Sequence, residues 1–279
     1  MIIDCHTHVN NYHDEAADNL DACIQKLLQE MRRNRVDVAL VLTSYKVSPG
    51  RPSTRAVVEA TRPHPNLYVV AGLSWTSFTE KDLDDIRPGV EEGKVRGLKI
   101  YPGYEPFYPN DERLEPAYTF AREHEIPVMV HAGDTYTPRG KVKYSHPLNI
   151  DELAVDHPEV SFVICHLGNP WIRDCMEVVY KNANVYCDFS GLVLGNFNAR
   201  FESYMRRQVQ EMLLFGVQPE KCLFGTDYPI SSIESYLEFM DELRMPPKDR
   251  RMVMYGNAIR VFHLPIEVPA LTGRRFGRF

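Results

Sequence analysis

Two kinds of apolar pattern alternate along this chain. Short, nearly continuous runs such as Val36-Asp37-Val38-Ala39-Leu40-Val41-Leu42 have strand length and are apolar on both faces, as a parallel strand covered on both sides requires. Between them lie stretches such as Glu15 to Arg35, where Leu20, Ile24, Leu27, Leu28 and Met31 recur at helical spacing. The pattern predicts strands near 1–8, 36–42, 67–73, 95–101, 127–131, 160–166, 184–189 and 221–227. It predicts helices over 15–35, 53–62, 79–92, 114–125, 148–155 and 200–215, one behind Pro170, and two more closing the chain. Thr79 with Asp82 resembles a helix start, Gly93 a stop, and Pro170 a first helical residue; Gly256 reads as a stop and Asn257 as an N-cap.

Eight strands alternating with helices, without a linker or low-complexity stretch, predict α/β architecture as a single (β/α)8 TIM barrel over residues 1–265, followed by a loosely tied tail, 266–279. An open doubly wound sheet is the competing fold. Closure makes strand eight the neighbour of strand one and lets residues at their ends meet, which most open orders do not.

Composition narrows the class. Charged residues make up 25% and aromatic residues 11% of 279, as in an ordinary globular protein, and the net charge of −6 with a pI near 5.9 argues against nucleic-acid binding through overall charge. No apolar run reaches the roughly 18 residues of a membrane span, and the N-terminus lacks a secretory signal pattern, so a cytoplasmic location is expected. The six cysteines form no Cys-x-x-Cys pair, and Cys5, Cys165, Cys187 and Cys222 read as buried small hydrophobes. A homo-oligomer is compatible with the sequence.

The strand ends carry the chemistry. His6 and His8 close strand one, and strict alternation would put them on one face with Cys5 and Thr7 on the other. His131 ends strand five, His166 strand six and Asp227 strand eight, all at the barrel rim where such enzymes build their sites. Singly, each is as well explained as a satisfied core or loop residue; the coincidence at four strand ends carries the functional reading. Three imidazoles and a carboxylate suit zinc or a similar divalent metal, which lowers the pKa of its water towards about 7. His13, His64, His124, His146, His157 and His263 do not share the pattern and read as surface or structural.

The combination Asp4-x-His6-x-His8, Gly97-Leu98-Lys99-Ile100-Tyr101-Pro102, His131-Ala132-Gly133, His166-Leu167-Gly168, Phe224-Gly225-Thr226-Asp227-Tyr228-Pro229 and Gly256-Asn257-Ala258 resembles the amidohydrolase superfamily. More narrowly it is similar to the branch holding aminocarboxymuconate semialdehyde decarboxylase, resorcylate decarboxylase and pyrone dicarboxylate lactonase. The resemblance implies metal ligation by His6, His8, His131 and Asp227, with His166 holding or polarising water or substrate and Asp227 shuttling a proton. Lys99 stands where binuclear members carry a carboxylated lysine. The reading favoured here is one metal and a free lysine that contacts substrate, with structural pairing to Asp4 or Asp188 as the alternative.

Hydrolysis of a small ester, lactone or amide by a metal-bound hydroxide leads; decarboxylation of a small unsaturated or aromatic acid is the alternative, and a binding protein that has lost catalysis is opposed by retention of the ligand set. The substrate is expected to be a small anion. Arg139, Lys141, Lys143 and Arg173 follow site histidines, and Arg173 is the residue expected to read a carboxylate as a planar fork. Tyr101, Tyr104, Phe107, Tyr136 and Trp171 are candidates to wall the pocket.

Overall fold

The computed structural model describes residues 1–11, 19–193, 199–215 and 217–267. Its strands are β1 (Ile3–Thr7), β2 (Val38–Leu42), β3 (Leu67–Gly72), β4 (Val95–Ile100), β5 (Val128–Val130), β6 (Phe162–Ile164), β7 (Val185–Asp188) and β8 (Cys222–Leu223). The helices are α1 (Leu20–Asn34), α2 (Thr54–Thr61), α3 (Glu80–Glu91), α4 (Glu115–Glu123), α5 (Leu148–Asp156), α6 (Ile172–Lys181), α7 (Ala199–Phe215), α8 (Ile233–Glu242), α9 (Pro247–Arg251) and α10 (Asn257–Val261). All strand pairs are parallel in the order β1 to β8. The ring closes beyond β8: Cys5 N donates to Phe224 O (2.9 Å), Asp227 N to His6 O (2.8 Å) and His8 N to Tyr228 O (2.7 Å). The fold is therefore the expected (β/α)8 barrel, and the open sheet is excluded.

Two apolar shells hold the ring. Inside it, Ile3, Cys5, Leu40, Val70, Met129, Val163, Cys165 and Leu223 meet Ala258, Val261 and Phe262 of the C-terminal segment, which plugs the barrel floor. Outside, Val41, Val69, Val130 and Ile164 of the strands pack under Leu27, Val57, Leu153 and Val178 of the helices. Fully burying each such side chain contributes about 1.5–3 kcal/mol, so the two shells supply stability independently of the rim and leave it available for polar residues. None of the six cysteines is in a disulfide among the described residues, and Cys5, Cys165, Cys187 and Cys222 are buried. No described helix is long and apolar enough to cross a membrane.

Local signals set several boundaries. Asn19 Oδ1 accepts from Ala22 N (2.8 Å) and starts α1, Thr79 N donates to Asp82 Oδ2 (2.8 Å) at the start of α3, and Gly93 takes φ +75° after it. The expected start of α1 before residue 19 and most of the tail lie outside the described residues, as does His13. Two expectations are corrected. Pro170 follows a cis bond to Asn169, and α6 starts two residues later at Ile172. Asn257 caps nothing: Gly256 is helical at φ −60°, and Asn257 Nδ2 donates to the carbonyls of Pro219 and Cys222 (both 2.7 Å), tying the floor plug to β8.

Candidate metal centre

The register of β1 shifts between Asp4 and Thr7. Strict alternation fails across that irregularity: Cys5 packs in the interior shell while the His6 ring also turns inward, against Asp188 and Ser190. Thr7 Oγ1 donates to Leu40 O (2.8 Å) and His8 Nδ1 lies 2.8 Å from Leu42 O, so β2 fixes the orientation of both residues. A carbonyl oxygen can only accept, which places the His8 proton on Nδ1 and the lone pair on Nε2. The same logic holds for His6, whose Nδ1 lies 2.8 Å from the carboxylate oxygen Oδ2 of Asp188.

Asp227 then meets both freed nitrogens. Its Oδ1 is 3.2 Å from His8 Nε2 and 3.8 Å from His6 Nε2, and donor atoms from these three residues lie within 4.8 Å of one another. Two lone pairs facing a carboxylate repel unless a cation sits among them, so this donor set fits a divalent metal. Asp227 reaches the position with φ +62°, a left-handed conformation uncommon outside glycine, in the turn that Tyr228 and Pro229 continue.

His131 Nε2 lies 3.0 Å from Asp134 O, which leaves Nδ1 as its lone-pair nitrogen. Its ring sits at the edge of the cluster, 5.1 Å from the His166 ring and 4.7 Å from the Tyr104 ring. His166 lies between, 4.9 Å from the His6 ring, in a left-handed conformation at φ +61° just past β6. Its Nδ1 is 2.8 Å from Ser190 Oγ and its backbone N–H donates to Asp188 Oδ1 at 2.9 Å.

Burial sets the charge states. It lowers His6 to about 4 and pushes His131 and His166 down as well, so all three rings are neutral near pH 7. Burial opposes ionisation of Asp188 and Asp227, yet in the acid range where a carboxyl titrates the adjacent imidazoles gain protons, and their hydrogen bonds and charge hold both carboxyls well below their usual range. Neutral imidazole and ionised carboxylate are the protonation states a metal requires. Asp4, behind them, is raised to about 7 by burial although it accepts from Thr226 Oγ1 (2.7 Å), Thr226 N and His6 N.

The remaining expected residues divide. Lys99 is 1% exposed, and its Nζ is bonded to neither Asp4 nor Asp188 but lies 2.5 Å from Cys165 Sγ and 5.4 Å from the Tyr101 ring. Tyr101 donates its hydroxyl proton to Thr43 O (2.5 Å) and packs on Tyr45. Arg173 is not gathered here: its side chain is 75% exposed on α6 and held outward by Glu211 of α7 at 2.5 Å. Arg139, Lys141 and Lys143 are likewise exposed, Lys143 lying over the rings of Tyr108 and Tyr144. Phe107 stacks on Trp75, Trp171 packs on His146, and Tyr136 is largely exposed.

A cleft of about 720 Å³ opens beside the cluster, lined among others by Tyr45, Lys46, Arg55, Ser74, Tyr104 and Glu105. Tyr104 lines this cleft and its ring lies 4.7 Å from that of His131, so the tyrosine stands between the cleft and the donors, none of which lines it. The Glu105 carboxylate accepts from Ser74 Oγ, Trp75 N and Thr76 N (2.9–3.0 Å) and so pins the loop after β3 as one cleft edge. Sequence reasoning misses Lys46 and Arg55, because neither lies near a histidine. It also misses Ser190, whose sole signal is its i+2 spacing from Asp188.

The profile of the family described as Amidohydrolase matches residues 3–264. Among solved structures, the uncharacterized TIM-barrel protein Bb4693 of Bordetella bronchiseptica is 21% identical with a TM-score of 0.73, covering 94% of this chain and 98% of that one. A probable 2-pyrone-4,6-dicarboxylic acid hydrolase of Acinetobacter baumannii with citric acid bound is 13% identical, TM-score 0.67, covering 94% and 99%. The 5-carboxyvanillate decarboxylase of Novosphingobium aromaticivorans, complexed with manganese and 4-hydroxy-3-methoxy-5-nitrobenzoic acid, is 13% identical, TM-score 0.68, covering 95% and 96%. Over 94 residues, 30% of each chain, the sequence is 33% identical to uncharacterized protein y4mH of Sinorhizobium fredii.

Proposed function

This chain belongs to the amidohydrolase family, and from that membership we propose that it is a metal-dependent hydrolase of a small, carboxylate-bearing ester, lactone or amide. One divalent ion would be held by His6, His8, His131 and Asp227. The observation that carries the reading is the convergence of His6 Nε2 and His8 Nε2 on Asp227 Oδ1, each ring having its other nitrogen bonded elsewhere. His131 Nδ1 supplies the fourth donor. Three imidazoles and one carboxylate suit zinc, and manganese in the Novosphingobium neighbour makes it the second ion to test. The Nζ of Lys99, occupied by Cys165, is read as uncarboxylated, hence one ion and not two.

A divalent ion at this place supplies Lewis acidity, polarising a carbonyl and making water nucleophilic near neutral pH. The protein's own groups do the rest. His166, neutral and carrying its lone pair on Nε2, takes the proton released when water attacks. Asp227, ionised and beside His8, takes the remaining proton of the added hydroxyl and passes it to the leaving group, and His166 returns its own to solvent. Tyr45 and Tyr104 offer aromatic faces to an unsaturated or ring substrate, and Lys46 and Arg55 attract its carboxylate along a cleft that Asp82 and Asp85 also line.

Decarboxylation of a small aromatic acid is the second reading, favoured by the same tyrosine pair and by the decarboxylases among the structural neighbours. A panel of lactones, esters, anilides and aromatic acids assayed in heavy-oxygen water separates the two. Heavy oxygen in the product acid supports hydrolysis; release of CO2 without it overturns hydrolysis.

A further inference from the structure

Ser190, fully buried two residues past Asp188, touches both halves of the site. Its Oγ lies 2.5 Å from Asp188 Oδ1, 2.9 Å from His6 Nδ1 and 2.8 Å from His166 Nδ1. A hydroxyl has one proton to give, and an ionised carboxylate can only accept. Asp188 Oδ2 takes the His6 Nδ1 proton, while Oδ1 receives the backbone N–H groups of His166 (2.9 Å) and Ser190 (3.1 Å) and makes the shortest contact with the hydroxyl. The Ser190 proton therefore points at Asp188, and its oxygen faces His166 as an acceptor. His166 must then carry its proton on Nδ1. The approach is close on the other side too: a Cβ on Gly191, at φ +69°, would come within 2.7 Å of His166 Nδ1, so this backbone is shaped to the ring.

We propose that Ser190 is a positioning residue completing a His166–Ser190–Asp188 relay, which keeps the His166 lone pair on Nε2 and orients the imidazolium formed when a proton arrives there. The proposal rests on reading His166 as the acid–base group. No proton leaves Nδ1: the ring gains one from water at Nε2, Ser190 keeps its own, and Asp188 stays ionised. Without Asp188 as acceptor, the serine could donate to Nδ1 and leave His166 protonated on Nε2, an acid where the reaction needs a base. One carboxylate thus sets the tautomer of the metal-site ring His6 directly and of His166 through a hydroxyl.

The test is heavy-nitrogen NMR of histidine-labelled, zinc-loaded protein, with His166 assigned by the resonances lost in His166→Gln. Wild type should show His166 protonated on Nδ1, and Ser190→Ala should shift it toward Nε2. Ser190→Ala should keep its zinc and its KM for the panel substrate while kcat falls about tenfold to a hundredfold, the usual loss for removing a group that orients a site histidine. An Nε2-protonated His166 in wild type, which needs no variant to fold, would overturn the relay. So would an unchanged tautomer and kcat in Ser190→Ala. Full turnover in His166→Gln would instead strike the acid–base reading beneath it.

Discussion

Replacing Asp188 by Asn keeps the shape of the side chain and removes its charge. Asp188 accepts at four places: His6 Nδ1 (2.8 Å), His166 N (2.9 Å), Ser190 N (3.1 Å) and Ser190 Oγ. An amide has one accepting end. If its oxygen faces His6, its NH2 confronts two backbone N–H groups, and each buried donor left unpaired costs about 1–3 kcal/mol. If its NH2 faces His6 instead, the imidazole must take the opposite tautomer, with the proton on Nε2 and no lone pair toward Asp227. Either outcome weakens the metal site. Groups that orient a ligand histidine are worth about 10–100-fold in metal affinity, or about 1.4–2.8 kcal/mol, and forced inversion of the tautomer places Asp188→Asn at the upper end. Zinc affinity is read by chelator competition on protein whose circular dichroism matches wild type. An affinity within about twofold of wild type, where about 100-fold weaker is expected, would mean that His6 does not depend on this carboxylate for its free nitrogen.

His166→Ala should retain the metal and lose turnover, as follows from its proposed role of taking the water proton and not of holding the ion; loss of metal, measured by elemental analysis, would make it a ligand. Metal-free protein should lose stability as pH falls below 6.5, because His6 at about 4 and the lowered His131 and His166 bind protons less readily folded than unfolded. Asp4, raised from 3.8 to about 7, acts oppositely, but three lowered imidazoles outweigh one raised carboxyl; a urea midpoint that rises from pH 7 to pH 5 would refute the sign. Arg55→Met should raise KM for an acidic substrate by about tenfold or more while sparing its neutral ester, the worth of a hydrogen bond to charge, whereas Arg173→Met should change neither; the reverse pattern in steady-state kinetics would put the anion site at α6.

The barrel was legible because runs such as Val38–Leu42 are apolar on both faces, a condition met under helices on one side and a filled interior on the other. The rim was legible for a related reason: a histidine or aspartate ending such a run has no apolar explanation. What lay hidden depends on backbone detail without a residue signature. The β1 irregularity turns both Cys5 and His6 inward against the alternation rule, and the left-handed His166 and Asp227 carry no glycine to announce them. Arg173 misled because proximity in sequence to His166 says nothing of direction once α6 begins, and Glu211 on the next helix decides it. Lys99 found Cys165, a partner that looks inert in sequence because the thiol reads as a core hydrophobe.

Elemental analysis of the purified chain reads out whether His6, His8, His131 and Asp227 build a single-metal site. Wild type should carry one divalent ion per chain, and Asp227→Ala and His6→Ala should carry almost none while remaining folded. Two equivalents in wild type, with Lys99 carboxylated, or metal retained in both variants, would contradict it.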